Sequence, residues 1–109
     1  MVDIDAFAAL DLRVGRIVAA AAFPEARKPA YKLTVDLGLV GFKTSSAQIT
    51  ELYALDDLPG RLVIVVANLP PRRIASFVSE VLVLGVPDDE GRVVLLTPER
   101  SVAPGVRAY

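Results

Sequence analysis

The chain contains no cysteine and no histidine. Without cysteine it can form neither a disulfide framework nor a thiolate zinc site, and its redox compartment is left open by this criterion. Without histidine it lacks the usual proton shuttle at neutral pH and the commonest ligand of transition metals. We therefore expect no metal and no cofactor.

Aromatic residues and net charge are also scarce. Aromatics make up 6% of the 109 residues and hydrophobic residues 53%, so the apolar content is mostly Val, Leu, Ile and Ala. Runs of this kind favour strands. The net charge of −1 and the pI of about 5.3 have the wrong sign for binding nucleic acid through broad phosphate neutralisation, although a local basic patch stays open.

The chain also lacks long apolar segments. No run approaches the roughly 18 apolar residues of a membrane-spanning helix. Residues 1–5 are acidic, whereas a secretory signal begins with a positively charged region. We expect one cytoplasmic domain over residues 1–109 with no membrane insertion, because a chain of this length can bury a single core.

Strand patterns occupy the first half of the sequence. Residues 31–37 alternate apolar and polar side chains, which predicts a strand with one buried face, and residues 42–46 predict its hairpin partner. Residues 12–23 are typical of one long strand, with a bulge or a sharp coil at Gly15 that lets the strand serve both halves of a small barrel. Four alanines at 19–22 leave a helix open as the competing interpretation of that segment.

Later runs are apolar on both faces. Residues 61–67, 81–84 and 93–96 predict strands covered on both sides, with the second cover supplied by a partner subunit. Residues 87–91 predict an acidic hairpin turn between the last two strands.

Short helices complete the predicted architecture. We expect one at residues 6–10, capped by Asp3 or Asp5, and one or two helical turns at residues 49–53, where apolar residues recur at helical spacing. Five strands with a short helix between the third and fourth are the element order of an all-β, five-stranded OB-fold Greek-key barrel.

Polar candidates lie just beyond the fourth predicted strand. Asn68 can offer two donors and one acceptor at a barrel rim, or it can simply cap the turn. Arg72 and Arg73 form the only adjacent arginine pair. Together with the cations at 27, 28, 32 and 43 they predict a small basic rim for phosphates or acidic peptide groups, unless they are only a solvated edge.

Apolar residues follow this arginine pair. Ile74, Phe77 and Val78 lie in a segment too short to be a deep core strand, which indicates a binding surface or a subunit contact. Ordinary packing against Leu69 is the alternative.

The sequence gives no support for catalysis, because its serines have no histidine that could act as a base. We therefore expect that the protein is not an enzyme.

Three segments carry a family resemblance. Residues 11–17 (DLRVGRI), 45–50 (SSAQIT) and 68–85 (NLPPRRIASFVSEVLVLG) resemble the CsaA family, export-related chaperones of the tRNA-binding-domain superfamily. The resemblance runs from about Phe7 to Tyr109. It implies a homodimer whose terminal extensions pack across the two-fold axis. It also implies binding of unfolded or precursor polypeptides bound for the export machinery, and the absence of an ATP motif implies holding without powered refolding.

The sequence departs from the tRNA-binding members of this superfamily at two places. Ser79 fits their Ser-x-Gly-Met pattern, but Val81 and Leu82 replace its Gly and Met, and residues 46–48 (SAQ) replace their Val-Ser-Gly. Both changes make the rim more apolar and favour peptide over RNA. The predicted peptide-binding residues are Ser46, Gln48, Ile49, Asn68, Arg72, Arg73, Ile74, Phe77, Ser79 and Val81. The alternative is structure-specific tRNA binding through Lys28, Lys32, Asn68, Arg72, Arg73 and Ser79.

Overall fold

The computed structural model describes all of residues 1–109 and shows a mostly β architecture with one helix. Two short 3₁₀ turns lie at Gly38–Val40 and Leu55–Asp57. In chain order the elements are α1 (Ile4–Ala8), β1 (Leu12–Ala22), β2 (Tyr31–Asp36), β3 (Phe42–Ala47), β4 (Leu62–Val66), β5 (Arg72–Ile74), β6 (Phe77–Ser79), β7 (Leu82–Val83), β8 (Gly85–Pro87) and β9 (Val93–Leu95).

The main sheet has five antiparallel strands in the order β3-β2-β1-β4-β7. The long strand β1 serves two neighbours, since its second half pairs with β2 and its first half pairs with β4. The backbone N–H groups of Glu80 and Val81 donate to the Thr44 carbonyl over 2.8 and 3.1 Å, and these bonds bring β3 back towards β7. The sheet is therefore a nearly closed barrel, which confirms the predicted all-β, OB-type fold.

The strand β1 serves both halves of the barrel as predicted, but its bulge does not lie at Gly15, and that part of the prediction was wrong. Gly15 pairs regularly with Val63, and the register shifts between Ile17 and Ala19 instead. Glycine is required at position 15 for another reason, because a Cβ there would collide with the buried side chains of Val35 and Leu37.

The core fills the barrel with aliphatic side chains from alternating positions. Leu33, Val35 and Leu37 are buried as the period-two pattern predicted, and they meet Val63 and Val65 of β4. Full burial of each such side chain contributes roughly 1.5–3 kcal/mol. These aliphatic contacts account for most of the barrel's stability.

Both helix predictions need correction. The helix α1 spans Ile4–Ala8 and not residues 6–10, and Asp3 precedes it without a side-chain capping bond. Residues 49–53 form no helix. Ile49 is buried in the core, while the hydroxyl of Tyr53 accepts the Leu95 N–H over 3.0 Å, so their helical spacing serves two separate contacts. No helix is long and apolar enough to cross a membrane.

The last hairpin joins β8 and β9 through the predicted acidic turn. Desolvation raises the pKa of the Asp88 carboxyl, but hydrogen bonds from the Arg92 and Glu90 N–H groups and from the Arg92 guanidinium outweigh it and lower the pKa below the ordinary 3.8. Residues 81–84 and 93–96 were predicted to be covered on both sides, but the single chain does not supply the second cover, because Leu82 is 46% exposed and Val94 is 36% exposed.

Candidate functional site

The candidate site is built around the hairpin of β5 and β6. The two strands pair in antiparallel register with Ile74 opposite Phe77. Between them, Ala75 has a φ of 54°, in the left-handed region that residues other than glycine rarely adopt. The apolar residues that the sequence placed in a loop therefore belong to a short hairpin that stands outside the main sheet.

This hairpin is fastened to the free edge of β3 by side chains. The Ser46 N–H donates to Ser79 Oγ over 2.9 Å, and the Thr44 N–H donates to a Glu80 carboxylate oxygen over 3.1 Å. The Thr44 hydroxyl lies 2.7 Å from the Val78 carbonyl and 2.9 Å from the same carboxylate, and its single proton serves one of them at a time. Side chains here replace the neighbouring strand that an edge strand otherwise lacks.

An aromatic contact holds the hairpin from another side. The Phe77 ring meets the Phe23 ring edge-on, with centroids 5.4 Å apart and an interplanar angle of 65°. The ammonium of Lys32 lies 4.9 Å from the Phe23 centroid and 5.8 Å from the Phe77 centroid. Contacts of both kinds contribute roughly 0.5–1 kcal/mol each. Lys32 and Phe77 therefore support the hairpin against the barrel.

The hairpin forms one wall of a mixed cavity of about 250 Å³, which we call the anchor pocket. Leu69 and Leu82 are 40% and 46% exposed, whereas Val81 is 4% exposed. The apolar lining residues are Leu69, Pro70, Ile74, Val81 and Leu82, and the polar ones are Ser46, Gln48, Arg72, Ser79 and Glu80. The pocket can take an apolar side chain beside several hydrogen-bonding groups.

A larger cavity of about 640 Å³, the cationic pocket, adjoins the anchor pocket. Its four cations are exposed, and none of them makes an ion pair within 4.0 Å. Glu25 is its one acidic residue. Its lining comprises Glu25, Ala26, Arg27, Lys28, Ala30, Ser46, Gln48, Arg72, Arg73, Ile74 and Ala75.

The two pockets form one continuous groove, because they share Ser46, Gln48, Arg72 and Ile74. At this junction Ser46 already donates its backbone N–H to Ser79, but its hydroxyl makes no hydrogen bond within the chain. The Gln48 side chain is exposed and is likewise unpaired. The junction thus offers a free hydroxyl and a free amide to a ligand.

The structure brings most of the predicted site residues to this groove and leaves four elsewhere. Ile49 is a core residue, Phe77 stacks under the hairpin, and the ammonium of Lys32 lies over the Phe23 and Phe77 rings. Asn68 binds the chain itself, since its amide donates to the Ala9 carbonyl over 2.8 Å and accepts the Asp11 N–H over 2.9 Å. The predicted residues that line the groove are Lys28, Ser46, Gln48, Arg72, Arg73, Ile74, Ser79 and Val81.

The sequence did not identify every lining residue. Leu69, Pro70 and Leu82 lie in the anchor pocket but were absent from the predicted site. Glu80 was missed as the residue that fastens the hairpin. The Leu69-Pro70 pair directly after Asn68 was the available signal, whereas nothing local to Glu80 indicates that it meets Thr44.

A second exposed feature lies at the chain ends. Helix α1 has no buried residue, and with the C-terminal residues it lines an apolar groove of about 480 Å³, the terminal groove. The Arg107 guanidinium donates to the Ala8 and Leu10 carbonyls over 2.8 and 3.0 Å, which fixes the end of α1 against the C-terminal segment. The terminal groove is lined by Ile4, Phe7, Ala8, Leu10, Arg107, Ala108 and Tyr109.

Solved structures resemble this fold over its whole length. A CsaA chaperone protein from Picrophilus torridus matches with a TM-score of 0.94 and 46% identity, covering 100% of both chains. The chaperone CsaA from Bacillus anthracis gives the same TM-score and identity, covering 100% of this chain and 99% of its own.

A curated relative is a methionine–tRNA ligase. Methionine–tRNA ligase 1 of Sorangium cellulosum is 48% identical over 106 residues, which are 97% of this chain but 15% of the ligase. The chain therefore corresponds to a small part of that enzyme. The profile of the family described as "Putative tRNA binding domain" matches residues 12–107. The chain belongs to this tRNA-binding domain family.

Proposed function

We propose that the chain is an ATP-independent, chaperone-like module that binds peptides and unfolded proteins in association with protein export. The composition of the groove carries this proposal, because the anchor pocket sets an apolar wall beside hydrogen-bonding groups and the adjoining cationic pocket holds four unpaired cations. The similarity to two CsaA chaperones over their full length supports it.

Each part of the groove has a role in this proposal. A guest side chain buries apolar surface against Leu69, Ile74 and Leu82, at about 25 cal/mol per Å² removed from water. The free groups of Ser46 and Gln48 hold the guest backbone. The remaining predicted site residues act through the fold: Ser79 and Asn68 hold neighbouring segments in place, Phe77 supports the hairpin, and Ile49 fills the core beneath.

We assign this module no enzymatic activity, no cofactor and a cytoplasmic location. In this proposal a bound guest is released by spontaneous dissociation, and its release needs no nucleotide hydrolysis. Ser45 is fully buried, and the other serines near the groove have no histidine to activate them.

We further propose a homodimer formed through the terminal groove. Phe7, Leu10 and Tyr109 leave an apolar surface exposed there, and Arg107 holds that surface in shape. Two copies of the peptide groove in one particle let a long guest gain avidity. Sedimentation should give a mass near twice 11.6 kDa at micromolar concentration, and a mass of 11.6 kDa would contradict the dimer.

The second candidate is tRNA binding, favoured by the family profile and by the methionine–tRNA ligase relative. The cationic pocket is the surface that would meet phosphates. The net charge of −1 and the small number of aromatic residues for base stacking argue against it. RNA capture should weaken steeply between low and moderate salt, whereas apolar peptide capture should change little.

The central experiment compares guest binding by two matched variants. The double variant Leu69→Ala, Leu82→Ala strips the anchor pocket, and Leu39→Ala removes a fully exposed leucine at the turn between β2 and β3 that lines neither pocket of the groove. We expect the double variant to suppress the aggregation of an unfolded client several-fold less well, and Leu39→Ala to match the parent chain. Equal holding by all three proteins would contradict the proposal.

A further inference from the structure

Resting on the proposed function, the geometry points to a two-part sequence signal in the guest. The groove fits an extended peptide with an apolar residue and an acidic residue two positions apart. The apolar side chain enters the anchor pocket and the carboxylate enters the cationic pocket. The groove therefore selects a pair of residues at a defined spacing, and neither the overall hydrophobicity nor the overall negative charge of the guest is sufficient.

The charge balance of the groove supports the acidic half of the signal. The cationic pocket is lined by four cations, Arg27, Lys28, Arg72 and Arg73, and by one acidic residue, Glu25, in a chain whose total charge is −1. The anchor pocket adds Glu80, whose carboxylate accepts the Thr44 N–H. These cations have no ion-pair partner in the chain, so a guest carboxylate can pair with one of them without displacing an acidic side chain of the protein. An arginine and a carboxylate also fit each other through paired N–H donors.

The walls of the groove supply the spacing. Arg72 and Ile74 are two residues apart on β5, and Ser46, on β3, is two residues before Gln48, which directly follows the end of that strand. All four residues line both pockets. Side chains two positions apart on a strand project to the same side, roughly 7 Å from each other. Alternate side chains of an extended guest have the same two-residue spacing, so they match the spacing of the groove residues.

Other spacings fit less well. Adjacent residues of an extended peptide point to opposite sides, so only one of them enters the groove. A separation of four residues is roughly 13 Å, which carries the acid beyond the junction that the pockets share. The free hydroxyl of Ser46 and the free amide of Gln48 lie at that junction, where the guest backbone passes.

The test uses short fluorescent peptides and the full chain. Each peptide has a Gly-Ser background with one Leu, and Glu is placed one, two or four positions away, in either order, with Gln in place of Glu as the uncharged reference. Fluorescence anisotropy at low salt should show the two-position Glu peptide binding about fivefold more tightly than its Gln counterpart, as expected for one favourable exposed charge contact.

A variant pair assigns the effect to the groove. Arg72→Gln should abolish the preference for Glu over Gln at the two-position spacing. Arg100→Gln removes the same charge from a residue that is 89% exposed and lines neither pocket, so it should leave the preference intact. Retention of the full preference by Arg72→Gln would overturn the inference, because the charge contact would then lie elsewhere.

The remaining outcomes separate this inference from the proposed function. Peptides that bind equally with Glu or Gln, or equally at every spacing, would overturn the two-part signal while leaving peptide binding intact. Capture of tRNA with no binding of any peptide would overturn both.

Discussion

The hydrogen bond between Ser46 and Ser79 allows an effect on stability to be distinguished from an effect on peptide binding, because the two serines contribute different atoms to it. Ser46 contributes its backbone N–H, and Ser79 contributes its side-chain oxygen as the acceptor at 2.9 Å. The substitution Ser46→Ala therefore keeps the bond, whereas Ser79→Ala removes it. Both substitutions remove a serine hydroxyl, but only Ser79→Ala removes the hydrogen bond.

The geometry gives the size of the effect. Losing the acceptor leaves the Ser46 N–H unpaired, which costs 1–3 kcal/mol for a buried donor. Both residues are only partly buried, so water partly replaces the lost acceptor, and we expect about 1–1.5 kcal/mol for Ser79→Ala. For a domain of this size that corresponds to a Tm about 5 °C lower. Ser46→Ala should stay within about 0.5 kcal/mol of the parent chain.

Two assays complete the comparison. Urea unfolding should show the loss of stability for Ser79→Ala alone, and peptide binding should weaken for Ser46→Ala, whose free hydroxyl faces the groove. Equal stability of the two variants would refute the assignment of Ser79 as one of the residues that hold the hairpin to the edge of β3. Unchanged peptide affinity for Ser46→Ala would refute the role of its hydroxyl.

Three further perturbations test the barrel and its last turn. Leu33→Ala at a side chain that is 1% exposed should cost about 2–5 kcal/mol in urea unfolding. Gly15→Ala should lower the Tm markedly, because the added methyl group meets Val35 and Leu37; a Tm equal to the parent's would contradict that close packing. The lowered pKa of Asp88 means that its charge stabilises the fold above the unfolded-state pKa and that this contribution is lost as the pH falls through the folded-state value. The difference in unfolding free energy between the parent and Asp88→Asn should therefore shrink as the pH falls from 5 to 3, and a constant difference would contradict the hydrogen-bond pattern of the turn.

Local patterns predicted the barrel well. The alternation in residues 31–37 predicted β2 and its buried face because each side of a strand meets one environment. The acidic turn before β9 was predicted because its composition suits a hairpin and little else. The Ile49–Tyr53 helix failed for the converse reason, since a few apolar residues at helical spacing satisfied unrelated contacts.

The site was harder to predict because contacts distant in sequence build it. The bond between the Thr44 N–H and the Glu80 carboxylate joins residues 36 positions apart, and neither residue carries a local signature of it. Asn68 was predicted to bind a ligand because of its motif, but its amide pairs with Ala9 and Asp11. Sequence motifs indicated a segment that lines the groove, and the three-dimensional pairing decided which of its side chains remain free.

The left-handed backbone of Ala75 bears on how readily the groove changes its width. A glycine would adopt this conformation without strain but would also leave the tip of the hairpin mobile. Alanine makes the tip stiffer, so a guest loses little affinity to immobilising it. Selectivity then depends on how well a guest fits an already shaped rim, and a chain with Ala75→Gly would accept a broader range of guests with weaker discrimination among them.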